Sequence, residues 1–299
     1  MIPASLDYTR PATLDDALGA LADEDAKVLA GGQSLIPLLR LRLAAPTTLV
    51  DLGGLAELRG VHSDGDALVI GATTTYATVL RDPLVARHAP LLAQATATVA
   101  DRQVRHLGTV GGGLAHADPA GDLPAVAVAM GATMEIAGPA GRRAVPAVEF
   151  FVDYLTNALA PGELLTAVRI PKQDGWSGYY EKFNRVAQGW ALVAVAALVR
   201  RENGVVGEAR VALTNMGPTP VRATAVETAV VGASEAGDIA AAAAHAADGT
   251  APSDDLSASA EYREHLARVL TRRALLAAFG QPTWAGPVGG AGAAGPGEG

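Results

Sequence analysis

Two glycine-rich turns carry the most chemistry in this chain: Ala30-Gly31-Gly32-Gln33-Ser34 and Thr109-Val110-Gly111-Gly112-Gly113. Glycine has no Cβ, so a backbone can pass close to a ligand and aim successive N–H groups at it. Such a concavity binds phosphate oxygens without a lysine. A single turn of this kind reads as a tight strand-to-helix connection. Two of them, about eighty residues apart, point to a ligand with an extended phosphate bridge held from both sides.

The segment after the second turn adds His116, Asp118 and Asp122 beside glycines, residue types suited to ribose or adenine contacts. The same three residues lack metal-ligand spacing, no His-Glu-x-x-His pattern exists, and no metal is expected. A Rossmann dinucleotide site needs Gly or Ala where His116 stands and a clean strand ahead of the turn; neither is present. No Gly-Lys pair exists, which excludes a Walker A loop. No serine sits in a nucleophile elbow and no acid–base pair stands out, so no catalytic side chain is assigned. Trp190 flanks a strand start and reads as core or edge packing unless a planar cofactor lies nearby.

The bulk numbers set the frame. At 299 residues and 49% hydrophobic, the chain has enough apolar material for about two domains. Only 4% is aromatic, so the interior is expected to be built from small aliphatic residues. A formal charge of −8 argues against nucleic acid or an anionic membrane as partner. With no cysteine, the chain supplies no disulfide, thiolate metal site or ordinary iron–sulfur ligation, in keeping with a reducing, cytoplasmic compartment. Met1 to Ser5 lack a basic patch followed by an apolar run, so no signal peptide is expected, and no run of eighteen apolar residues is present.

Elements must position these turns. Thr13 reads as the N-cap of a helix over Leu14–Ala22, followed by two aspartates. A strand over Lys27–Ala30, a helix capped by Ser34 over Leu35–Leu43 and a strand over Thr48–Leu52 make a β-turn-α-β unit whose turn faces the ligand. Gly60–Gly71 reads as a hairpin turning at Asp64-Gly65. Thr74 is expected to cap a helix through Leu80, with another helix over Pro90–Val99. Arg102–Asp122 reads as a long polar functional loop. A helix over Pro124–Met130, a strand over Ala132–Ile136, a helix from Phe150 to Leu159 and a strand over Leu164–Ile170 follow. The composition turns polar at Lys172–Gly178, where a domain boundary is expected. Three strands then follow, over 179–186, 191–201 and 205–214, with Asn203-Gly204 as a hairpin turn between the last two. Three helices come next, near 222–231, 239–247 and 261–279, giving an α+β unit. This divides the chain into 1–175, with subdomains of about 1–53 and 54–175, then 176–280, and a Gly/Pro/Ala-rich tail over 281–299 expected to be disordered.

The chain resembles the FAD-binding medium subunits of molybdenum hydroxylases, of the aerobic carbon monoxide dehydrogenase type within the xanthine dehydrogenase family. The likeness runs from Leu6-Asp7-Tyr8 and Arg10-Pro11 to about Phe279. It is carried by Ala30 to Leu35, Gly108-Thr109-Val110-Gly111-Gly112, Ala117-Asp118-Pro119, Ala160-Pro161-Gly162-Glu163-Leu164-Leu165 and Glu181-Lys182-Phe183. Leu213-Thr214-Asn215-Met216-Gly217 and Thr219-Pro220-Val221-Arg222-Ala223 also carry it.

The resemblance implies an α+β fold, with two PCMH-like α/β subdomains clasping FAD and a C-terminal domain of three antiparallel strands with helices. It implies that Val28, Leu29, Ala30, Gly31, Gly32, Gln33, Ser34 and Leu35, with Thr109, Val110, Gly111, Gly112 and Gly113, hold the diphosphate. Asp122 would contact the nucleotide part, Leu165 and Lys182 would lie on the flavin side, and the Ala100 backbone would meet the cofactor. Two positions depart from the pattern: Gly189 stands where an Asp often precedes the aromatic, and Gly113 where Asn or Ser is common.

By the same resemblance the chain is a flavoprotein oxidoreductase subunit. Molybdopterin and iron–sulfur clusters would lie on a large and a small partner subunit, in a dimer of heterotrimers that leaves any membrane association peripheral and to the complex. Electrons would pass from the clusters through FAD to an external acceptor. The alternatives are a free-standing flavoprotein oxidoreductase and a scaffold subunit that has lost its flavin.

Overall fold

The computed structural model describes residues 2–280, so the expected tail over 281–299 lies outside the described residues. The chain opens with a small parallel sheet in which Thr48–Asp51 lies between Asp7–Thr9 and Lys27–Leu29. The helix Leu14–Ala20 starts at Thr13, whose hydroxyl accepts the Asp16 N–H as expected. The helix Leu35–Leu41 starts differently: Ser34 makes no side-chain cap bond and already has right-handed helical angles. With φ −101° and ψ −46° it is not extended, so its hydroxyl is not set to cap the next turn. A separate small core of Leu14, Ala17, Leu21, Val50, Leu52 and neighbours fills this unit and reaches across to Ala137 and Leu164.

The second unit is an antiparallel sheet of five strands in the order Val61–Asp64, Ala67–Gly71, Leu164–Pro171, Thr133–Gly138 and Gly141–Pro146. The hairpin at Asp64-Gly65 forms as read, with Asp64 opposite Ala67. Thr75, one residue beyond the expected Thr74, caps the helix Tyr76–Val79 by accepting the Thr78 N–H. Thr74 instead bonds Gly60, holding the hairpin base. The hairpin partner Gly141–Pro146 has no counterpart in the sequence reading; its face is mostly solvent-exposed, so its apolar signal is weak.

Two expectations fail here. Arg102–Asp122 is not a loop but holds two helices, Arg102–Leu107 capped by Asp101 and Val110–His116 capped by Thr109. Their polar and glycine-rich composition hides them, because glycine is a poor helix former and packing overrides propensity. Phe150–Leu159 is not a helix either: a single turn ends at Phe150, and Phe151–Asp153 pairs with Thr156–Asn157 about Leu155 at φ +52°.

The C-terminal sheet has three long antiparallel strands, Trp176–Phe183, Val193–Glu202 and Val205–Thr214, plus the two-residue edge strand Val221–Arg222. Its middle strand is buried on both faces, and the alternation of strand side chains explains why. Ala194, Ala196 and Leu198 face the helices Pro90–Thr98 and Asp122–Ala129. Val193, Val195, Ala197 and Val199 face the C-terminal helix Ala260–Phe279. Small alanines on the first face let the sheet close tightly on those helices. The three C-terminal helices fall near their expected places, at Thr224–Ala229, Ala236–Ala243 and Ala260–Phe279.

Candidate functional site

The two glycine turns meet. A Cβ on Gly31 would run into the Leu107 carbonyl oxygen and come within 2.8 Å of Gly108 Cα, while one on Gly112 would lie 3.7 Å from Ala30 Cβ. The absent side chains therefore let the first unit pack backbone to backbone against the second. The turns border a cleft of about 740 Å³. Val28, Ala30 and Gly31 to Leu35 line one side, and Thr109, Gly111, Gly112 and Gly113 line another. A third wall, from Leu159 to Leu165, closes it.

The two turns do not offer the same chemistry. In the first, Gly32 takes φ +71°, and the N–H groups of Gly31, Gly32, Gln33 and Ser34 have no protein acceptor among the described residues. These are donors free for a ligand. In the second turn four of the five amides are spoken for, and only the Thr109 N–H has no acceptor among the described residues. Val110 N–H bonds Thr74 O, Gly111 N–H bonds Ala72 O, Gly112 N–H bonds Thr109 Oγ1 and Gly113 N–H bonds Thr109 O. The expected pair of amide cradles is thus one cradle facing a glycine-smoothed surface. The three glycines of the second turn contribute close approach rather than free donors.

The third wall is braced by an ion pair. Arg143 grips Glu163 with Nε at 2.8 Å and Nη2 at 2.6 Å, and it also donates to Ala158 O, while Glu163 accepts the Ala160 N–H. The Arg143 hydrogen bond, helped by the Ala160 N–H and the guanidinium charge, holds the Glu163 carboxyl below the usual range. A lowered carboxylate contributes stability that is present above its unfolded value and is lost as pH falls through the folded one. Ligand affinity of the cleft is therefore expected to hold from neutral pH down through the usual carboxylate range and to drop only in more acidic solution. Arg143→Ala should move that drop to higher pH, and a pH series of ligand titrations on both proteins checks it.

Residues 4–173 match the family described as FAD binding domain in molybdopterin dehydrogenase, and residues 178–278 match the CO dehydrogenase flavoprotein C-terminal domain. The chain belongs to the FAD-binding family of the molybdopterin dehydrogenases. Within that family it is 38% identical to the carbon monoxide dehydrogenase medium chain of Hydrogenophaga pseudoflava, over 93% of this chain and 99% of the relative. It is 35% identical to the caffeine dehydrogenase subunit beta of a Pseudomonas species, over 92% and 95% of the two chains. Among solved structures, carbon monoxide dehydrogenase from Hydrogenophaga pseudoflava superposes with a TM-score of 0.91 at 39% identity, covering 94% of this chain and 99% of that one. Quinoline 2-oxidoreductase from Pseudomonas putida 86 gives a TM-score of 0.90 at 36% identity, covering 94% and 99%.

The family resemblance drew its site residues from several segments, and the fold separates them. Leu165 lies in the cleft with both turns, whereas Leu29 and Val110 stand behind the lining. Ala100, Asp122 and Lys182 also lie off the lining. Lys182 Nζ donates to Asp122 Oδ2 at 2.8 Å and to Thr98 O at 3.3 Å, and the Tyr180 hydroxyl donates to Asp122 Oδ1 at 2.6 Å. The side chains of Lys182 and Asp122 are only 6% and 5% exposed, so the pair is a buried link from the helix Asp122–Ala129 to the strand Trp176–Phe183. Ala100 sits at φ +40°, a conformation that costs an alanine roughly 1–2 kcal/mol, and Arg105 holds it by donating to Val99 O at 2.7 Å and Ala100 O at 3.2 Å. Backbone strain of this kind concentrates at functional sites.

Trp190 is 59% exposed, contrary to the expected core or edge packing. Its loop is anchored from below: Asn215 Nδ2 donates to Ala191 O and Leu192 O, and the buried Arg263 donates to Leu192 O at 2.6 Å. The sequence reading did not assign the cleft residues Tyr76, Asn157 and Leu159 to Leu164. The run Ala160 to Leu165 could have revealed the last group, since it carries the resemblance as a block; Tyr76 and Asn157 have no local signal.

Proposed function

We propose that this chain is the FAD-carrying electron-transfer subunit of a heteromeric molybdenum hydroxylase. The observation that carries the reading is the cleft where two glycine turns abut and the first presents four unpaired backbone donors. The site fits a diphosphate: it has free N–H groups on a cleft of about 740 Å³, and no lysine in the lining except Lys27. Gly31, Gly32, Gln33 and Ser34 would donate to the bridging phosphates, with Thr109 and Gly111 to Gly113 supporting the other side. Val28, Leu29, Ala30, Leu35, Val110 and Leu165 would shape the walls. Ala100 would present its strained backbone to the cofactor, and Asp122 and Lys182 would fix the C-terminal sheet against the cofactor domain.

When bound, FAD supplies a ring that takes up and passes on electrons. The protein's part is to bind and orient it and to exclude water from the diphosphate. With no cysteine in the sequence, iron–sulfur clusters would belong to a small partner and molybdopterin to a large one. The substrate would then be chosen on the large chain. The proposal extends to a cytoplasmic dimer of heterotrimers and to the division at residues 1–175 and 176–280. Among the described residues no helix is long and apolar enough to cross a membrane.

The test has two arms. Titration of the flavin-free chain with FAD, followed by quenching of flavin fluorescence, is expected to reach one FAD per chain. Purification of the tagged chain from its own cells is expected to bring down a cysteine-rich small chain and a large molybdopterin chain. A chain that takes up no FAD overturns the reading, and one that oxidises a substrate unaided favours the free-standing oxidoreductase.

A further inference from the structure

Buried tyrosines nearly always give their hydroxyl a partner, because the ring can hide while the polar tip cannot go unsatisfied. Tyr180 obeys, bonding Asp122 at 2.6 Å. Tyr76 does not. It is 8% exposed, lines the cleft, and its hydroxyl has no hydrogen-bond partner among the described residues. Only its backbone is engaged, with the N–H bonding Gly108 O and the carbonyl accepting from Leu80.

The hydroxyl lies over the second glycine turn. A Cβ on Gly113 would collide with Tyr76 Oη, yet it would sit 3.5 Å from Tyr76 Cζ, an ordinary contact. The collision is therefore with the oxygen alone. Burial, helped by the charge of Asp122, pushes the phenol pKa up, so the group stays protonated and can donate. The Val110, Gly111, Gly112 and Gly113 amides are already bonded within the protein, so apart from the Thr109 N–H, which has no acceptor among the described residues, the turn offers no free backbone donor.

We infer that the Tyr76 hydroxyl is a side-chain donor at the second turn: it hydrogen-bonds an anionic oxygen of the dinucleotide diphosphate, and Gly113 is glycine to leave that oxygen its place. The inference rests on the reading that a dinucleotide occupies the cleft. It divides the labour between the turns. The first turn grips with four backbone N–H groups, and at the second a side chain delivered from the helix Tyr76–Val79 across a glycine surface is added to the single free amide of Thr109.

The test is a double substitution in the full-length, flavin-free chain, read by FAD titration and by the melting temperature without FAD. Tyr76→Phe is expected to weaken FAD about ten- to a hundredfold, the size of one hydrogen bond to a charged group. It should leave the melting temperature unchanged, since the removed hydroxyl has no protein partner. Gly113→Ser alone should weaken FAD further by displacing the ring. Tyr76→Phe with Gly113→Ser should regain much of the affinity, because the serine fits beside a ring that has lost its oxygen and brings a hydroxyl to the same spot. An unchanged FAD affinity in Tyr76→Phe overturns the inference, as does a loss of affinity matched by a loss of thermal stability. If Gly31→Val abolishes FAD binding while Tyr76→Phe does not weaken it, only the role of Tyr76 falls. If the unaltered chain takes up no FAD, the function beneath it falls as well.

Discussion

Gly31→Val is expected to abolish FAD binding, raising the dissociation constant at least about a hundredfold. The reason is what stands opposite. The new Cβ would meet the Leu107 carbonyl oxygen and lie 2.8 Å from Gly108 Cα and 2.9 Å from the Leu107 carbonyl carbon, all backbone atoms that cannot swing aside. Overpacking typically costs about 1–3 kcal/mol, and this contact stands at or above the top of that range, because backbone meets backbone and relief must come from parting the two turns. Parting them widens the cleft and scatters the donors of Gly31 to Ser34. Gly32 provides the contrast. Its φ of +71° makes any side chain strained, but its Cβ would meet the Ile36 side chain, which is exposed and can yield. Gly32→Ala should therefore weaken FAD by much less than Gly31→Val. Fluorescence titration of both variants checks the order, and equal affinities in Gly31→Val and the unaltered chain would remove the first turn from the site.

Asp122→Ala is expected to destabilise the folded chain by about 3–5 kcal/mol, the range found when one partner of a buried pair is removed. It leaves the Lys182 ammonium, 6% exposed, with only the Thr98 carbonyl at 3.3 Å, and it takes the acceptor from the buried Tyr180 hydroxyl. The loss falls on the seam between the helix Asp122–Ala129 and the strand Trp176–Phe183. Pairing Asp122→Leu with Lys182→Met should recover part of the stability, since the charge no longer stands alone while the Tyr180 hydroxyl still lacks its acceptor. Chemical denaturation of the three proteins measures both effects. The outcome also decides between two roles for Asp122. A variant that keeps its stability but loses FAD affinity would return Asp122 to the nucleotide contact implied by the family resemblance, and a variant that loses stability makes it a link between units.

The strands and glycine turns were legible because their signals are local. Lys27–Leu29 runs straight into Gly31-Gly32, and Asn203-Gly204 marks the hairpin of Val193–Glu202 with Val205–Thr214 without help from the rest of the fold. The helix Val110–His116 was not legible, because three of its first four residues are glycines. They are demanded by neighbours far away in sequence: a Cβ on Gly111 would lie 2.5 Å from Ala72 Cβ, and one on Gly113 would strike Tyr76. Phe150 and Phe151 look helical in a window, yet they meet edge to face at 88° and send the chain into a hairpin. The site divides along the same line. The free amides of the first turn follow from its glycines, whereas the engagement of the Val110 and Gly111 amides in the second depends on the Thr74 and Ala72 carbonyls, which no spacing rule connects to it.

The first fifty or so residues have their own miniature core, joined to the remainder through Ala137 and Leu164 and the contact at Gly31. A unit that owns its interior can swing away at a fraction of the free energy of melting the whole protein. Such an excursion would part the two glycine turns and widen the mouth of the crevice they border, with the larger antiparallel sheet left standing as a finished bed. Release would run through the same excursion, so how long the coenzyme stays is set by how rarely that small interior breaks its seal.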